Sequence, residues 1–178
     1  DLVQCSWERI NESGIENMLF DTEYDSTVIA KRTASHKKGE PYMSDENHAW
    51  EAVKVGCAEH CWLSDITSKH MGFGLARLAT GAKNITVQNC HCLEPISIIR
   101  GNRRYAFYVS SAQLCLVKDC TCEYDRHGFA TSNRTLGPSV FLNCKMTEAE
   151  QEAGPHQRWA TGFLYDNVVT DGQIAVQD

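Results

Sequence analysis

The sequence predicts an all-β protein, a right-handed parallel β-helix of about five turns with a polar insertion near residues 21–46. Three observations carry that expectation. A short apolar segment closed by Asn or Asp recurs four times in the middle of the chain. The recurrences fall at steps of 24, 30 and 24 residues. A separate column of alanines falls at the same steps.

The four segments are Cys61–Thr67, Ile85–His91, Cys115–Thr121 and Ser139–Lys145. Superposed, they put Asp65, Asn89, Asp119 and Asn143 in one column, and Ile66, Cys90, Cys120 and Cys144 in the next. Leu63, Val87, Val117 and Phe141 precede the turn, and Ser68, Cys92, Cys122 and Met146 follow it. Apolar residues at every second position, bounded by Asn, Asp and Gly, read as short strands and turns. Asn and Asp tolerate left-handed backbone, so they suit a recurring tight turn. The alanine column is Ala52, Ala76, Ala106 and Ala130, with Ala160 a further 30 residues on. Small side chains there suggest a narrow part of the coil. Right-handedness is the usual hand of parallel crossovers. A β-sandwich is the alternative fold, but it gives no reason for an alanine column.

The N-terminal run Gly14–Phe20 fits the same template, with Asn17 in the Asx column. The step from Asn17 to Asp65 is 48 residues, and the polar stretch 21–46 supplies the excess. Residues 1–178 thus read as one β-helix domain. Its ends lack obvious polar caps, so it reads as a fragment of a longer chain, or one whose open ends meet further copies or flanking chain.

Composition narrows the partners. Hydrophobic residues make up 42% and charged residues 22%, a globular balance, and the net charge is −6. A nucleic acid is not expected as a main partner. No apolar run is long enough for a membrane span. Asp1 opens the chain without an initiator Met or signal peptide, which suggests a mature or trimmed piece. Sequons at Asn11, Asn84 and Asn133 suggest a secreted glycoprotein.

Nine cysteines need an account. The pairs Cys90/Cys92 and Cys120/Cys122 have C-x-C spacing, which zinc sites seldom use. Stacked as above, most are expected to be buried thiols acting as small hydrophobes. Disulfides are the alternative, because stacked Cα atoms about 4.8 Å apart fall in the permitted range. Cys57 with Cys61, or Cys5 with a partner, could also close. No metal ligands are assigned. Asp45, Glu46, Asn47 and His48 could hold Ca2+ or bond a loop, and the oxygen count favours the loop.

Extending the columns outward brings Arg103, Arg104, Arg126, His127, His156 and Arg158 to one line. A line of cations on an acidic protein suits an elongated anionic ligand, such as an acidic polysaccharide rich in uronates. Removing the C5 proton of a uronate needs a base, a cation for the carboxylate and an acid for the leaving oxygen. His127 or His156 is the candidate base. Arg126 or Arg158, with Arg103 and Arg104, is the candidate carboxylate partner. Tyr105 is the candidate acid and Tyr165 a lesser one. His48, Trp50 and Trp159 are candidate substrate contacts, the tryptophans as sugar platforms. Structural duty at turn edges is the competing reading for each of these.

Several runs resemble a known family: Asp45–Trp50, Arg103–Phe107, Arg126–Phe129, Gly137–Cys144 and, most distinctively, Gly154-Pro155-His156-Gln157-Arg158-Trp159-Ala160-Thr161-Gly162 continuing to Val168. Together they look like secreted right-handed β-helix proteins of the pectin-lyase-like superfamily, most similar to poorly characterised bacterial-type members. The resemblance covers roughly residues 45–170 and implies the β-helix fold. It also implies one of the superfamily's activities, lyase, hydrolase or epimerase, or a non-enzymatic adhesin-like role. The Asp trio of polygalacturonases and the calcium cluster of pectate lyases have no match here, which points away from those two activities. Two functions follow: an extracellular lyase at the Arg/His stripe, or a structural or adhesive rod in an extracellular assembly.

Overall fold

A computed structural model describes residues 8–33 and 37–176. The described residues contain strands and no helix. Nearly all strand pairs are parallel. The exception is a short antiparallel ribbon, Ile29–Lys31 against Pro41–Met43. A sandwich of antiparallel strands is therefore excluded.

The parallel strands stack in register at the steps read from the sequence. One arm of a ten-stranded sheet holds Gly14–Asp21, Trp62–Lys69, Thr86–Gln88, Leu116–Lys118, Leu136–Leu142 and Thr161–Asp166. The second half of Trp62–Lys69 starts the other arm, which continues through His91–Leu93, Thr121–Glu123, Lys145–Thr147 and Val169–Thr170. A five-stranded sheet holds Glu51–Val55, Gly74–Leu78, Phe107–Val109, Phe129–Thr131 and Gly154–Pro155.

The predicted inward columns are present. Leu63 pairs with Val87, Val87 with Val117 and Val117 with Phe141. Ile15 extends that column at one end and Tyr165 at the other. Ser68, Cys92, Cys122 and Met146 are likewise mutual partners. Leu63, Val87, Val117, Phe141, Cys92, Cys122 and Met146 are buried and form one continuous apolar core with Phe107 and Phe129, and the half-buried Ile15 and Tyr165 pack against it. The Asx column has the predicted backbone: φ is +54° at Asn17, +56° at Asp65, +49° at Asn89, +54° at Asp119 and +53° at Asn143. The column continues to Asn167, at φ +51°. Its side chains also bond along the stack. Asn143 donates to Asp119 at 3.2 Å and accepts from Asn167 at 2.9 Å, and Asn89 donates to Asp65.

The alanine column needs correction. Ala76, Ala106 and Ala130 are all buried on the same wall. They are not in register. Ala76 pairs with Val53 and Phe107, while Ala130 pairs with Tyr108 and Gly154. Ala106 lies just outside its strand, and Ala160 is not on this wall's strands. The cause is turn length. On the five-stranded wall the step is 31 residues from Ala76 to its partner Phe107 and 22 from Phe107 to Phe129, against 30 and 24 in the Asx column, so one fixed step cannot align both. Close packing survives the slip: a Cβ on Gly74 would sit 2.1 Å from the carbonyl oxygen of Tyr105.

The cysteines are core thiols. Among the described residues Cys57, Cys61, Cys90, Cys92, Cys115, Cys120, Cys122 and Cys144 are free, so the disulfide alternative, including Cys57 with Cys61, finds no pair. Cys5 lies outside the described residues. Stacked cysteines project in the same direction rather than toward each other, which defeats the bridge geometry. Their thiols turn to local carbonyls instead, Cys90 to Gln88 at 3.2 Å and Cys120 to Lys118 at 3.1 Å.

The insertion is a cover rather than a free loop. Arg32 forms a buried ion pair with Glu150 at 2.7 Å, and Lys37 pairs with Glu148. The Tyr42 hydroxyl accepts from the Ile99 amide at 3.1 Å. Asp45 accepts from the Asp25 and Asn47 amides, at 2.8 and 3.0 Å, and these bonds hold its carboxyl below the usual range. No described helix is long and apolar enough to cross a membrane.

Candidate functional site

The site lies where the chain enters and leaves three neighbouring strands of the five-stranded sheet. Tyr105 sits just before Phe107–Val109, Arg126 and His127 just before Phe129–Thr131, and Glu152 and His156 on either side of Gly154–Pro155. Main-chain bonds fix this arrangement: the amides of Arg126 and His127 both donate to the Arg104 carbonyl at 3.0 Å.

Rings are stacked along this edge. Phe73 and Tyr105 lie 5.3 Å apart and nearly parallel, Tyr105 and His127 are 4.9 Å apart, and His127 and His156 are 4.1 Å apart. Arg126 donates to the Tyr105 hydroxyl at 2.9 Å. Glu152 approaches both imidazoles, with Oε1 3.5 Å from His127 Nδ1 and 3.9 Å from His156 Nδ1. Four of the five expected catalytic residues (Tyr105, Arg126, His127 and His156) thus meet. Glu152 was not foreseen. Its only sequence signal is its place four residues before His156.

Burial divides the cluster. His127 is 1% exposed and Tyr105 is 4% exposed. Arg126, Glu152 and His156 are half-buried. His127 Nδ1 donates to the Glu152 carbonyl at 2.9 Å, because a carbonyl can only accept. Its Nε2 therefore carries the lone pair, and that atom is buried without a partner. Burial pushes the imidazole down to about 3, so His127 is neutral at ordinary pH. As a base for a large substrate it is misplaced, which corrects one of the two candidate assignments. Burial likewise raises the Tyr105 hydroxyl, against the pull of Arg126.

The rest of the expected stripe is spent elsewhere. Arg104 is only 2% exposed, and its guanidinium donates to the carbonyls of Ser97, Tyr124 and Met43. The insertion lies over it, with Tyr42 5.3 Å from the guanidinium. Arg103 is held by Glu46 at 2.7 and 3.1 Å. Neither is open to a ligand carboxylate. The sequence columns failed here because they treated residues 21–46 as an excursion away from the stack. His48 Nε2 lies 3.0 Å from the carbonyls of Asp45 and Ile96, and Trp50 packs over Gly72 beneath Arg103. Both serve the loop and the wall. Tyr165 stacks on Phe141 at 4.8 Å and belongs to the core.

Arg158 and Trp159 remain exposed, Trp159 at 66%, with the Arg134 guanidinium 5.0 Å from its ring. Asn11 and Asn133 are exposed and Asn84 is half-buried. Beneath the site, Asp125 is fully buried and neither carboxyl oxygen has a partner. Desolvation lifts it to about 8, opposed by the nearby Arg104 charge.

Comparison with family models, with curated proteins and with solved structures finds no match to this chain.

Proposed function

We propose that this chain is a right-handed parallel β-helix of the pectin-lyase-like kind that works outside the cell. Its substrate is an acidic, uronate-containing polysaccharide, cleaved by β-elimination. The observation that carries the reading is the meeting of Tyr105, Arg126 and His156, drawn from separate sequence runs, at one edge where Arg126 and His156 are half-buried and Tyr105 lies covered beneath them. The parallel register repeated across three walls supports the coil.

In this reading Arg126 neutralises the uronate carboxylate, assisted by the exposed Arg158. His156 takes the proton from C5. The C4–O bond breaks, its electron pair leaves with the oxygen, and a C4=C5 double bond forms. Tyr105, polarised by Arg126, gives its proton to the departing oxygen. His127 holds the edge in place from below. Trp159 and Arg134 offer a flat platform for a neighbouring sugar.

The test is a panel of uronate polysaccharides, followed by absorbance of the unsaturated product. Product formation that His156→Ala and Tyr105→Phe each abolish supports the reading. No product from any of them removes it.

A structural or adhesive rod is the second reading. The burial of Tyr105, His127 and Arg104 favours it, as do the exposed apolar side chains Leu164 and Val169 on the last two strands and Ile174 just beyond them. Polysaccharide bound without cleavage, or self-association through that edge, would support it.

A further inference from the structure

We infer that His127, Glu152 and His156 form a binding site for one divalent transition-metal ion of the Zn2+ class. One donor atom from each side chain lies within 4.8 Å of the other two. Ligand atoms 2.0–2.2 Å from a tetrahedral zinc stand roughly 3.3–3.5 Å apart. The 3.9 Å between Glu152 Oε1 and His156 Nδ1 is close to that edge length. Two imidazoles and a carboxylate suit Zn2+, Co2+ or Ni2+ better than Ca2+ or Mg2+, which prefer all-oxygen cages.

The independent observation is the orphan nitrogen. His127 Nε2 is buried and has no partner in the protein. Its tautomer is already set for ligation, since the Nδ1 proton is committed to the Glu152 carbonyl at 2.9 Å. A carbonyl holding the far nitrogen of a ligating histidine is the usual arrangement at metal sites. With three protein donors the fourth position stays open toward the half-buried edge, to be taken by water or a ligand oxygen. The site goes beyond the lyase reading and does not depend on it. The two are linked in one respect. An ion that takes the His156 lone pair removes the base, so metal loading and elimination through His156 exclude each other.

The full-length protein, stripped with chelator and dialysed, is titrated with Co2+ by visible absorption and with Zn2+ by calorimetry. One equivalent of Co2+ showing intense tetrahedral bands, displaced by Zn2+, is expected. Glu152→Gln and His156→Ala should each weaken Zn2+ binding by at least about 100-fold, the upper end of what losing even a group that only orients a ligand costs. Because His127 is buried, His127→Gln is read together with its circular dichroism. His70→Ala, at a separate His/acid contact, should leave affinity unchanged. No stoichiometric binding overturns the site, as does binding that survives Glu152→Gln and His156→Ala or is lost in His70→Ala. These readouts do not involve a sugar, so failure of the lyase reading leaves them standing.

Discussion

Asn143 tests the stacked turns most directly. It holds φ +53° and is exposed, and its amide both donates to Asp119 and accepts from Asn167. Asn143→Gly keeps the left-handed backbone but loses both bonds. Two exposed hydrogen bonds contribute about 1 kcal/mol together, at the low end of the usual range. Glycine adds about 0.5–1 kcal/mol of chain entropy. The sum is about 2 kcal/mol. Asn143→Ala loses the same bonds and places a Cβ in the left-handed region, at about 1–2 kcal/mol, for a total of about 2–3 kcal/mol. An ordinary exposed substitution stays within about 0.5 kcal/mol. Urea unfolding at constant m-value measures all three proteins, and the expected order is parent, then glycine, then alanine. A double-mutant cycle with Asp119→Ala isolates the side-chain bond. Alanine as stable as glycine, together with no coupling to Asp119, would refute the reasoning.

Three further predictions follow from the interior. Phe129→Ala should cost about 3–5 kcal/mol, since the ring is fully buried and stacked on Phe107 at 5.4 Å; denaturant titration checks it. Asp125 makes stability depend on pH. Its carboxyl keeps a proton up to about 8 in the folded chain but ionises near 4 when unfolded, so the folded state binds more protons in that window and stability falls as pH rises through it. The groups acting on it are Arg104, Glu123 and the Cys92 and Cys122 thiols. Asp125→Asn should flatten this loss, a matter of a few kcal/mol between pH 5 and pH 9; an unchanged slope would remove Asp125 as its source. Among the described cysteines, Cys57 alone is exposed and should react with a thiol reagent in the native protein, whereas Cys90, Cys92, Cys120, Cys122 and Cys144 should wait for unfolding. Peptide mapping of the labelled sites decides.

Much of the fold was legible because turn chemistry and burial act locally. An Asx at a left-handed turn and an apolar residue two positions before it declare themselves without knowledge of the neighbouring strand. Leu63, Val87, Val117 and Phe141 were therefore aligned correctly. The alanine register was not, because the length of each connection is settled by packing on the far wall. Tyr105, Arg126, His127 and His156 were found as a cluster because they flank strands of that wall. The fate of Arg103 and Arg104 was hidden for a tertiary reason: Glu46 and Met43 reach them from a segment whose sequence is merely polar. Glu152 stayed invisible because a lone glutamate in an acidic tract has no distinguishing neighbour.

The ribbon over the wall bears on how the molecule comes apart. Layers that touch only their immediate neighbours can peel from the last one inward, each opening costing little more than its own contacts. Here a tether anchored early in the chain grips late layers, through Arg32 on Glu150 and Lys37 on Glu148. Peeling the C-terminal layers first must break those grips, so early and late portions are bound into one melting event. Cutting the tether, rather than weakening the interior, is what would turn a single sharp transition into a gradual unzipping.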